Sequence, residues 1–312
     1  MKVVVVGAGQ MGSIYGAAAQ ENGHEVLFVD ASRDLVDKIN ADGLTIDRQD
    51  EGGVYRVPAT NRPANADGPA DVVLFQVKGY ATRAAAESVK PVVGPGTLVL
   101  TFQNGLGNEQ VLREVFPANE ILIGITSHTV VTLGLAHYQH AGVRDSRMGP
   151  SRGDDLAGAR RAASAFDRPG MPVEVLPEKE VRTAQWAKFV FNCGGLAAWA
   201  ITRLSIVGSK DQAQLIDLMG AITREACEIA ALEGIALDAD ERVAFLRNLI
   251  ATATGGKASM LGDVQSKRRT EIDTINGAAV MFADKHGHPA PLTRAMVALV
   301  KGTEKAIEIG EA

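Results

Sequence analysis

The N-terminal stretch Lys2 to Gly12, KVVVVGAGQMG, constrains the fold more than any other part of the chain. Val3 to Val6 form an uninterrupted β-branched run, which is typical of a strand buried on both faces of a parallel sheet. The residues that follow satisfy the pattern G-x-G-x-x-G, which between a strand and a helix binds the pyrophosphate of a dinucleotide. We therefore assign cofactor contacts to this turn: Gly7, Ala8, Gly9, Gln10, Met11 and Gly12.

The sequence after the glycine motif supports a dinucleotide site. A predicted helix runs through Glu21, and a second predicted strand, Glu25 to Val29, ends in Asp30. A carboxylate at this distance from the motif binds the ribose hydroxyls. The same pattern occurs in flavin sites, so it does not by itself identify the cofactor.

Length and composition indicate a soluble globular protein of two domains. At 312 residues the chain is long for a single core, and its content of 46% hydrophobic and 22% charged residues is ordinary for such proteins. A net charge of −5 does not indicate binding to nucleic acid or to an anionic membrane. No segment has the 18 or so uninterrupted apolar residues of a membrane span.

The reactive side chains give no sign of a metal site. Six histidines are scattered without metal-ligand spacing. The two cysteines, Cys193 and Cys227, lie in apolar helical contexts, which favours buried thiols in a reducing compartment, and we expect a cytoplasmic location.

Between Asp30 and residue 125, strands and helices alternate as in a doubly wound sheet. The predicted helices run from the cap Ser32 to Ile39, from Ala81 to Val89 and from Asn108 to Phe116, and the predicted strands are Asp71 to Val77, Thr97 to Thr101 and Glu120 to Ile125. Leu44 to Ile46 and Val54 to Val57 read as a hairpin around the turn Arg48 to Gly53. Lys78, Gln103 and Asn104 follow strands at their carboxyl ends, where such sheets bind ligands. Asn104 could equally make a turn with Gly105.

The second half of the chain is predicted to be helical. Thr129 to Leu176 is mixed and reads as the trailing edge of the sheet, with a helix near Leu156 to Phe166 and with His137 and His140 on the surface. Pro177 marks the boundary between a dinucleotide-binding domain, 1–177, and a helical domain, 178–312. The predicted helices there are Val181 to Ala200, Gln212 to Leu232, Asp240 to Ala251, Glu271 to His286 and Leu292 to Ile309.

Two groups of polar residues in the helical domain could carry chemistry. Lys188 and Asn192 are four residues apart and share a helix face. Among apolar neighbours, Lys188 either extends its ammonium to water or is held for a function. Ser259 and Glu271 flank a second polar segment, in which Ser259 could be a helix cap or a ligand group.

Five segments together resemble the ketopantoate reductase family, in order and across nearly the whole chain: GAGQMG, VKGYAT, QNGLGNE, WAKFVFN and SMLGDVQSKRRTEIDTING. The last segment is specific to that family rather than to dinucleotide-binding proteins in general. The resemblance implies a Rossmann-type domain followed by an all-helical domain, and reduction of the 2-oxo acid ketopantoate to pantoate by a nicotinamide cofactor.

The resemblance also implies roles for individual residues. Lys188 would be the general acid, with Asn104 and Glu271 fixing the cofactor and the lysine, and Asn192 and Ser259 holding the substrate. The cofactor set would then comprise the glycine turn, Asp30, Lys78, Asn104 and Glu271, and the substrate set Asn104, Lys188, Asn192 and Ser259.

The chain departs from the family pattern at several positions. Leu196, Ile206 and Gly256 stand where the family has asparagines, which removes hydrogen bonds to a polar substrate. Many members are NADPH enzymes with a basic residue near the end of the second strand. Asp30 instead binds a 2′-hydroxyl and repels a 2′-phosphate, so NADH is favoured, although Arg33 nearby leaves room for NADPH.

We therefore predict an NAD(P)H-dependent reductase of a small 2-oxo acid. Ketopantoate is the principal candidate substrate, and a less polar 2-oxo acid is the alternative substrate. The rival predictions are a 3-hydroxy acid dehydrogenase and a protein that senses NAD(H) without turnover. The apolar surface of the helical domain favours a homodimer.

Overall fold

The computed structural model describes residues 1–48, 52–63, 68–142 and 145–311. The chain forms two compact units. Unit 1 comprises Met1–Gln103 and Asn108–Arg182, and unit 2 comprises Asn104–Gly107 and Thr183–Ala312. The short segment after Gln103 therefore belongs with the helices of the second half.

Unit 1 contains two sheets and five helices among the described residues. The strands are β1 (Lys2–Val6), β2 (Glu25–Val29), β3 (Leu44–Asp47), β4 (Gly53–Tyr55), β5 (Ala59–Thr60), β6 (Val72–Phe75), β7 (Leu98–Thr101), β8 (Ile121–Thr126), β9 (Thr129–Gly134), β10 (His137–Gly142), β11 (Ser146–Pro150) and β12 (Val173–Val175). The helices are α1 (Gln10–Glu21), α2 (Arg33–Asp42), α3 (Thr82–Ser88), α4 (Asn108–Val115) and α5 (Ala157–Ala163).

The larger sheet has the Rossmann-type order. Its described strands run β12-β11-β8-β7-β6-β1-β2-β5, and the six from β8 to β5 are mutually parallel. The order reverses between β1 and β6, so their carboxyl ends flank the position where doubly wound sheets bind ligands. The predicted Rossmann-type fold is confirmed.

Alternate residues of β1 enter two separate cores, as its unbroken valine run predicts. Val3 and Val5 pack in the core that includes α1, whereas Val4 and Val6 pack in the opposite core with Phe75. A side chain at Gly16 of α1 would stand 2.2 Å from the ring of Phe28 on β2. Glycine therefore allows α1 to pack closely on the sheet.

The second sheet was not predicted as a separate layer. Its described strands run β4-β3-β10-β9. The predicted hairpin is present as β3 and β4, although its turn includes residues 49–51, which lie outside the described residues. The predicted strand near Val130 is β9 of this small sheet. Of the region predicted to form the edge of the larger sheet, only β11 and β12 do so. Alternation alone could not show which sheet a strand joins.

The prediction that His140 is on the surface is wrong. Its side chain is 3% exposed, and its Nε2 lies 3.1 Å from Nδ1 of His128. Burial, reinforced by the charge of Arg48, lowers the pKa of His140. His137 is only half-buried and lies 3.0 Å from the carboxylate of Asp47.

The second half is helical, as predicted. Its helices are α6 (Glu178–Thr202), α7 (Ala213–Leu232), α8 (Ala239–Thr252), α9 (Ser259–Gln265), α10 (Asn276–Lys285) and α11 (Pro291–Glu308). α6 contributes Phe189, Val190, Cys193 and Leu196 to the core of unit 2. Both cysteines are free and buried, as predicted.

One predicted helix start in unit 2 is wrong, and Ser259 is not a helix cap, which was one of the two alternatives for it. The helix predicted from Glu271 begins only at Asn276, because the backbone before it follows a turn. Ser259 is the first residue of α9 and not its cap, since Ala258 holds the cap position without a side-chain hydrogen bond.

In the ranges that the structure describes, none of the helices has the length and apolar character needed to cross a membrane.

The packing around Gly16 predicts that alanine lowers the stability of the protein there, whereas alanine at the exposed Gly302 should raise it. Gly16→Ala should destabilise the protein by about 1–3 kcal/mol, because the new methyl group overpacks against Phe28. Gly302→Ala is the matched control, since it lies in α11 with open space around its Cβ position, and alanine should stabilise that helix by up to about 1 kcal/mol. Thermal unfolding followed by circular dichroism measures both. Equal responses of the two variants would contradict this packing.

Candidate active site

The predicted phosphate-binding residues form a tight turn between β1 and α1. Gly7 has a φ of +99°, and a Cβ there would stand 2.9 Å from the backbone of Gln76 and Val77. A Cβ at Gly12 would stand 1.8 Å from the carbonyl oxygen of Gly7. A Cβ at Gly9 would point into open space, so that glycine leaves room beside the start of α1 rather than avoiding a clash.

This turn has the chemistry that a pyrophosphate requires. No acidic side chain stands in the first turn of α1. The backbone N–H groups at the start of a helix bind anions, assisted by the helix dipole. The open space at Gly9 lies beside those groups. The residues therefore fit a dinucleotide.

Asp30 is joined directly to the turn. One carboxylate oxygen accepts a hydrogen bond of 2.8 Å from the N–H of Ala8, and the other accepts one of 2.8 Å from the N–H of Ser32. Ser32 in turn caps α2 by accepting from the N–H of Leu35, as predicted. The carboxylate at the end of β2 thus has a fixed place beside the glycine motif.

Lys78 lies in the loop after β6, and a buried amide holds that loop. Nε2 of Gln103 donates to the carbonyl oxygen of Val77 at 2.7 Å and to the hydroxyl of Thr82 at 2.8 Å. Oε1 of Gln103 accepts from the hydroxyl of Thr101 at 3.0 Å. The carboxyl ends of β6 and β7 are therefore tied together next to the glycine turn.

Lys188 lies on α6 next to residues that pack in the core of unit 2. Its side chain is half-buried, and Phe189 beside it is 2% exposed. Burial lowers the pKa of Lys188 to about 8, and the carboxylate of Glu271 opposes that lowering. The structure therefore brings together the two residues predicted to be catalytic, Lys188 and Glu271.

The turn that carries Glu271 is held at its start. The N–H and the hydroxyl of Thr270 both donate to Glu304 of α11 at 2.7 Å. The hydroxyl of Thr270 also accepts from the N–H of Ile272 at 3.2 Å. Glu271 is 7% exposed, so its carboxylate lies in a fixed, largely buried turn.

The Asn104 segment packs on the same turn. Leu106 donates its N–H to the carbonyl oxygen of Thr274 at 2.9 Å. Gly105 has a φ of +81°, and a Cβ there would stand 2.1 Å from that oxygen. Only glycine allows this approach, which places the backbone of Asn104 beside the turn of Glu271.

The two predicted substrate residues differ in their surroundings. Asn192 follows Lys188 by about one helical turn and is 5% exposed. Ser259 is exposed at the start of α9.

The three residues that stand where the family has asparagines also lie in unit 2. A Cβ at Gly256 would stand 3.5 Å from Cδ1 of Ile206, so these two positions are neighbours. Gly256 has a φ of +104°, a conformation that asparagine adopts only with strain. Leu196 is 6% exposed within the core.

Two residues that hold elements near the site were not singled out from the sequence. Nδ2 of Asn276 donates to the carbonyl oxygen of Cys193 at 3.0 Å and thereby fixes α10 against α6. Tyr138 of β10 reaches the glycine turn, where its hydroxyl donates to the carbonyl oxygen of Ala8 at 3.2 Å. Asn276 lies in the last of the five segments that resemble the family, which was the available signal, whereas Tyr138 lies in none of the five.

Across the part of the chain that the structure describes, no group of three or more histidine, cysteine, aspartate or glutamate residues is arranged to hold a metal ion.

Two family models together match most of the chain. Residues 3–153 match the model described as ketopantoate reductase PanE/ApbA, and residues 180–304 match the model of its C-terminal part.

Individual relatives agree with these matches. The 2-dehydropantoate 2-reductase of Halobacterium salinarum is 31% identical, over 96% of this chain and 98% of that protein. The crystal structure of a PanE/ApbA family ketopantoate reductase from Ralstonia eutropha JMP134 is 31% identical, with a TM-score of 0.89 over 99% of this chain and 100% of that one. The fold is also that of D-mandelate dehydrogenase, solved with NADH and anilino(oxo)acetate, at a TM-score of 0.92, 24% identity and coverage of 99% and 100%. The chain therefore belongs to the ketopantoate reductase family, whose members are pyridine-nucleotide oxidoreductases acting on CH–OH groups.

Proposed function

We propose that the protein reduces a small 2-oxo acid to its 2-hydroxy acid, with 2-dehydropantoate (ketopantoate) as the principal candidate and NADH as the preferred reductant. The observation that carries this proposal is a half-buried lysine opposed by a carboxylate, Lys188 with Glu271. A lysine whose pKa lies near neutrality can be charged when substrate binds and can still give up its proton. The relatives named 2-dehydropantoate 2-reductase support ketopantoate as the substrate.

In this proposal residues 1–177 form the dinucleotide-binding domain and residues 178–312 form the helical domain for substrate binding and dimerisation. The glycine turn would hold the pyrophosphate, Asp30 the ribose hydroxyls, and Lys78, Asn104 and Glu271 further parts of the cofactor. The nicotinamide, when bound, supplies the hydride. The observations that support the cofactor set are the open space at Gly9 and the fixed carboxylate of Asp30.

The residues of unit 2 would handle the carbonyl group. Reduction of a carbonyl carbon develops negative charge on its oxygen, and the ammonium of Lys188 would stabilise that charge and donate the proton. Glu271 would keep Lys188 protonated, while Asn104, Asn192 and Ser259 would orient the substrate. Asn192 is in a suitable place, since it follows Lys188 on the same helix.

Three further expectations follow from this reaction and stay predictions. A cytoplasmic location and a part in pantothenate biosynthesis would suit a reductase of ketopantoate. A homodimer is supported by apolar side chains exposed on α10 and α11, among them Met281 and Leu299, which are 52% and 51% exposed.

Turnover of a panel of 2-oxo acids with NADH and NADPH tests the proposed function. We expect oxidation of NADH with 2-oxo acids, and we expect an acid with an apolar tail to compete with ketopantoate in kcat/KM, because Ile206 and Gly256 offer no amide groups. Ile206→Asn should shift the preference toward ketopantoate, whereas Val207→Asn, at an exposed neighbouring position, should not.

Each of the two rival functions predicts a different outcome of these assays. Failure on every 2-oxo acid, together with oxidation of 3-hydroxy acids when NAD⁺ or NADP⁺ is supplied, would favour the 3-hydroxy acid dehydrogenase. Binding of NADH without any oxidation would favour the sensing protein. A clear advantage of ketopantoate over all other acids would show that the lost asparagines are neutral.

Asp30 predicts the choice between the two nicotinamide cofactors. We expect a higher kcat/KM with NADH than with NADPH, because the carboxylate repels a 2′-phosphate. Asp30→Ala should narrow that gap, and Asp30→Asn should narrow it while keeping an acceptor oxygen for the N–H of Ala8. Asp34→Ala, which removes an exposed charge from α2, is the control and should leave the ratio unchanged. A wild-type preference for NADPH in steady-state kinetics would refute this assignment.

A further inference from the structure

Ala8, in the glycine turn, has hydrogen-bond partners for both its N–H and its carbonyl group. Its N–H donates to Asp30 at 2.8 Å, and its carbonyl oxygen accepts from the hydroxyl of Ser13 at 2.8 Å and from that of Tyr138 at 3.2 Å. Ala8 and Ser13 are fully buried, and Tyr138 is 5% exposed. Little solvent is therefore available to replace a lost partner.

Two of these three partners belong to the ordinary strand–turn–helix unit, but the third does not. Ser13 is on α1 and Asp30 follows β2. Tyr138 is on β10 of the small sheet, where it pairs with Ile46 of β3 on one side and with Thr132 of β9 on the other. A strand paired on both sides presents its side chain to Ala8 from a fixed position.

A second contact joins the small sheet to the same turn. Nε2 of Gln10, the fourth residue of the glycine motif, donates to the carbonyl oxygen of Val130 on β9 at 2.9 Å. The pKa of Tyr138 is raised chiefly by burial, and the negative charge of Asp30 adds to the rise, which agrees with the hydroxyl lying near that carboxylate.

We propose that Tyr138 is a positioning residue for the dinucleotide: by fixing the carbonyl group of Ala8 it sets the Ala8–Gly9 peptide in the turn that receives the pyrophosphate. The small sheet is thus part of the cofactor site, although it contributes no strand to the Rossmann-type sheet. This inference rests on the proposed function only in naming a nicotinamide dinucleotide as the ligand.

The physical consequence is a dinucleotide affinity that depends on Tyr138. The carbonyl group of Ala8 belongs to the Ala8–Gly9 peptide, and the N–H of Gly9 lies opposite it in the same plane. A rotation of this peptide that follows loss of the tyrosine hydroxyl therefore also turns the N–H of Gly9 in the turn that would receive the pyrophosphate. Affinity for the dinucleotide should weaken.

The test compares two tyrosines of the same sheet. Tyr138→Phe removes the hydroxyl that binds Ala8, and Tyr55→Phe removes a hydroxyl of β4 that donates to Glu21 at the far end of α1. Both variants lose one hydrogen bond between the small sheet and the region of α1, so a purely structural role would affect them alike. Fluorescence titration with NADH and with NADPH, without any substrate, measures binding directly.

For Tyr138→Phe we expect roughly 3- to 10-fold weaker binding of NADH, which is the usual worth of one neutral hydrogen bond. KM for NADH should rise while kcat stays near normal. Tyr55→Phe should leave all of these unchanged. Ser13→Ala, which removes the other donor to the same carbonyl oxygen, should weaken binding in the same way and serves as the second variant if Tyr138→Phe folds poorly.

Unchanged NADH binding in Tyr138→Phe, or equal weakening in Tyr55→Phe, would overturn the positioning role. A wild-type protein that binds a dinucleotide but reduces no 2-oxo acid would refute the proposed reaction and leave this test intact. A wild-type protein that binds neither dinucleotide would refute both proposals.

Discussion

The proposed proton donation depends on keeping the half-buried side chain of Lys188 positively charged. Removal from water lowers the pKa of Lys188 to about 8, and without an opposing carboxylate it would fall further. Glu271 supplies that carboxylate, and the turn that carries it is tied to α11 through Glu304 and supports the Asn104 segment through Thr274. The conformation of this turn therefore affects several of the proposed site residues at once.

The cofactor half of the site depends in a similar way on the backbone of one residue. Ala8 has hydrogen-bond partners from α1, from the end of β2 and from β10 of the small sheet. Both halves share a physical principle: a short irregular segment keeps its conformation because buried backbone groups are satisfied by side chains from several elements. Such segments bring one stretch of backbone close to another, which glycine permits at Gly12 and at Gly105.

Much of the fold could be predicted from the sequence, because periodic patterns report local structure well. The valine run of β1, the spacing to Asp30 and the apolar helices of the second half all led to the observed elements. The small sheet, the burial of His140 and the start of α10 could not be predicted, since each depends on partners distant in the sequence. Glu271 was placed in a helix because nothing local shows that Glu304 binds the backbone before it. The pairing of Lys188 with Glu271 was expected from the family resemblance and not from spacing.

The pH dependence of kcat in the wild type, Glu271→Gln and Lys188→Ala tests the central claim most directly. Protonated Lys188 is the active form, so wild-type reduction should decline as pH rises through about 8. Glu271→Gln removes the charge that raises this pKa, so the decline should move to lower pH. Lys188→Ala should lose roughly 10²- to 10⁴-fold in kcat and lack this decline, with little change in NADH affinity by fluorescence titration. Near-normal turnover of Lys188→Ala with weakened NADH binding would show instead that Lys188 is a cofactor contact and that the proton comes from another group.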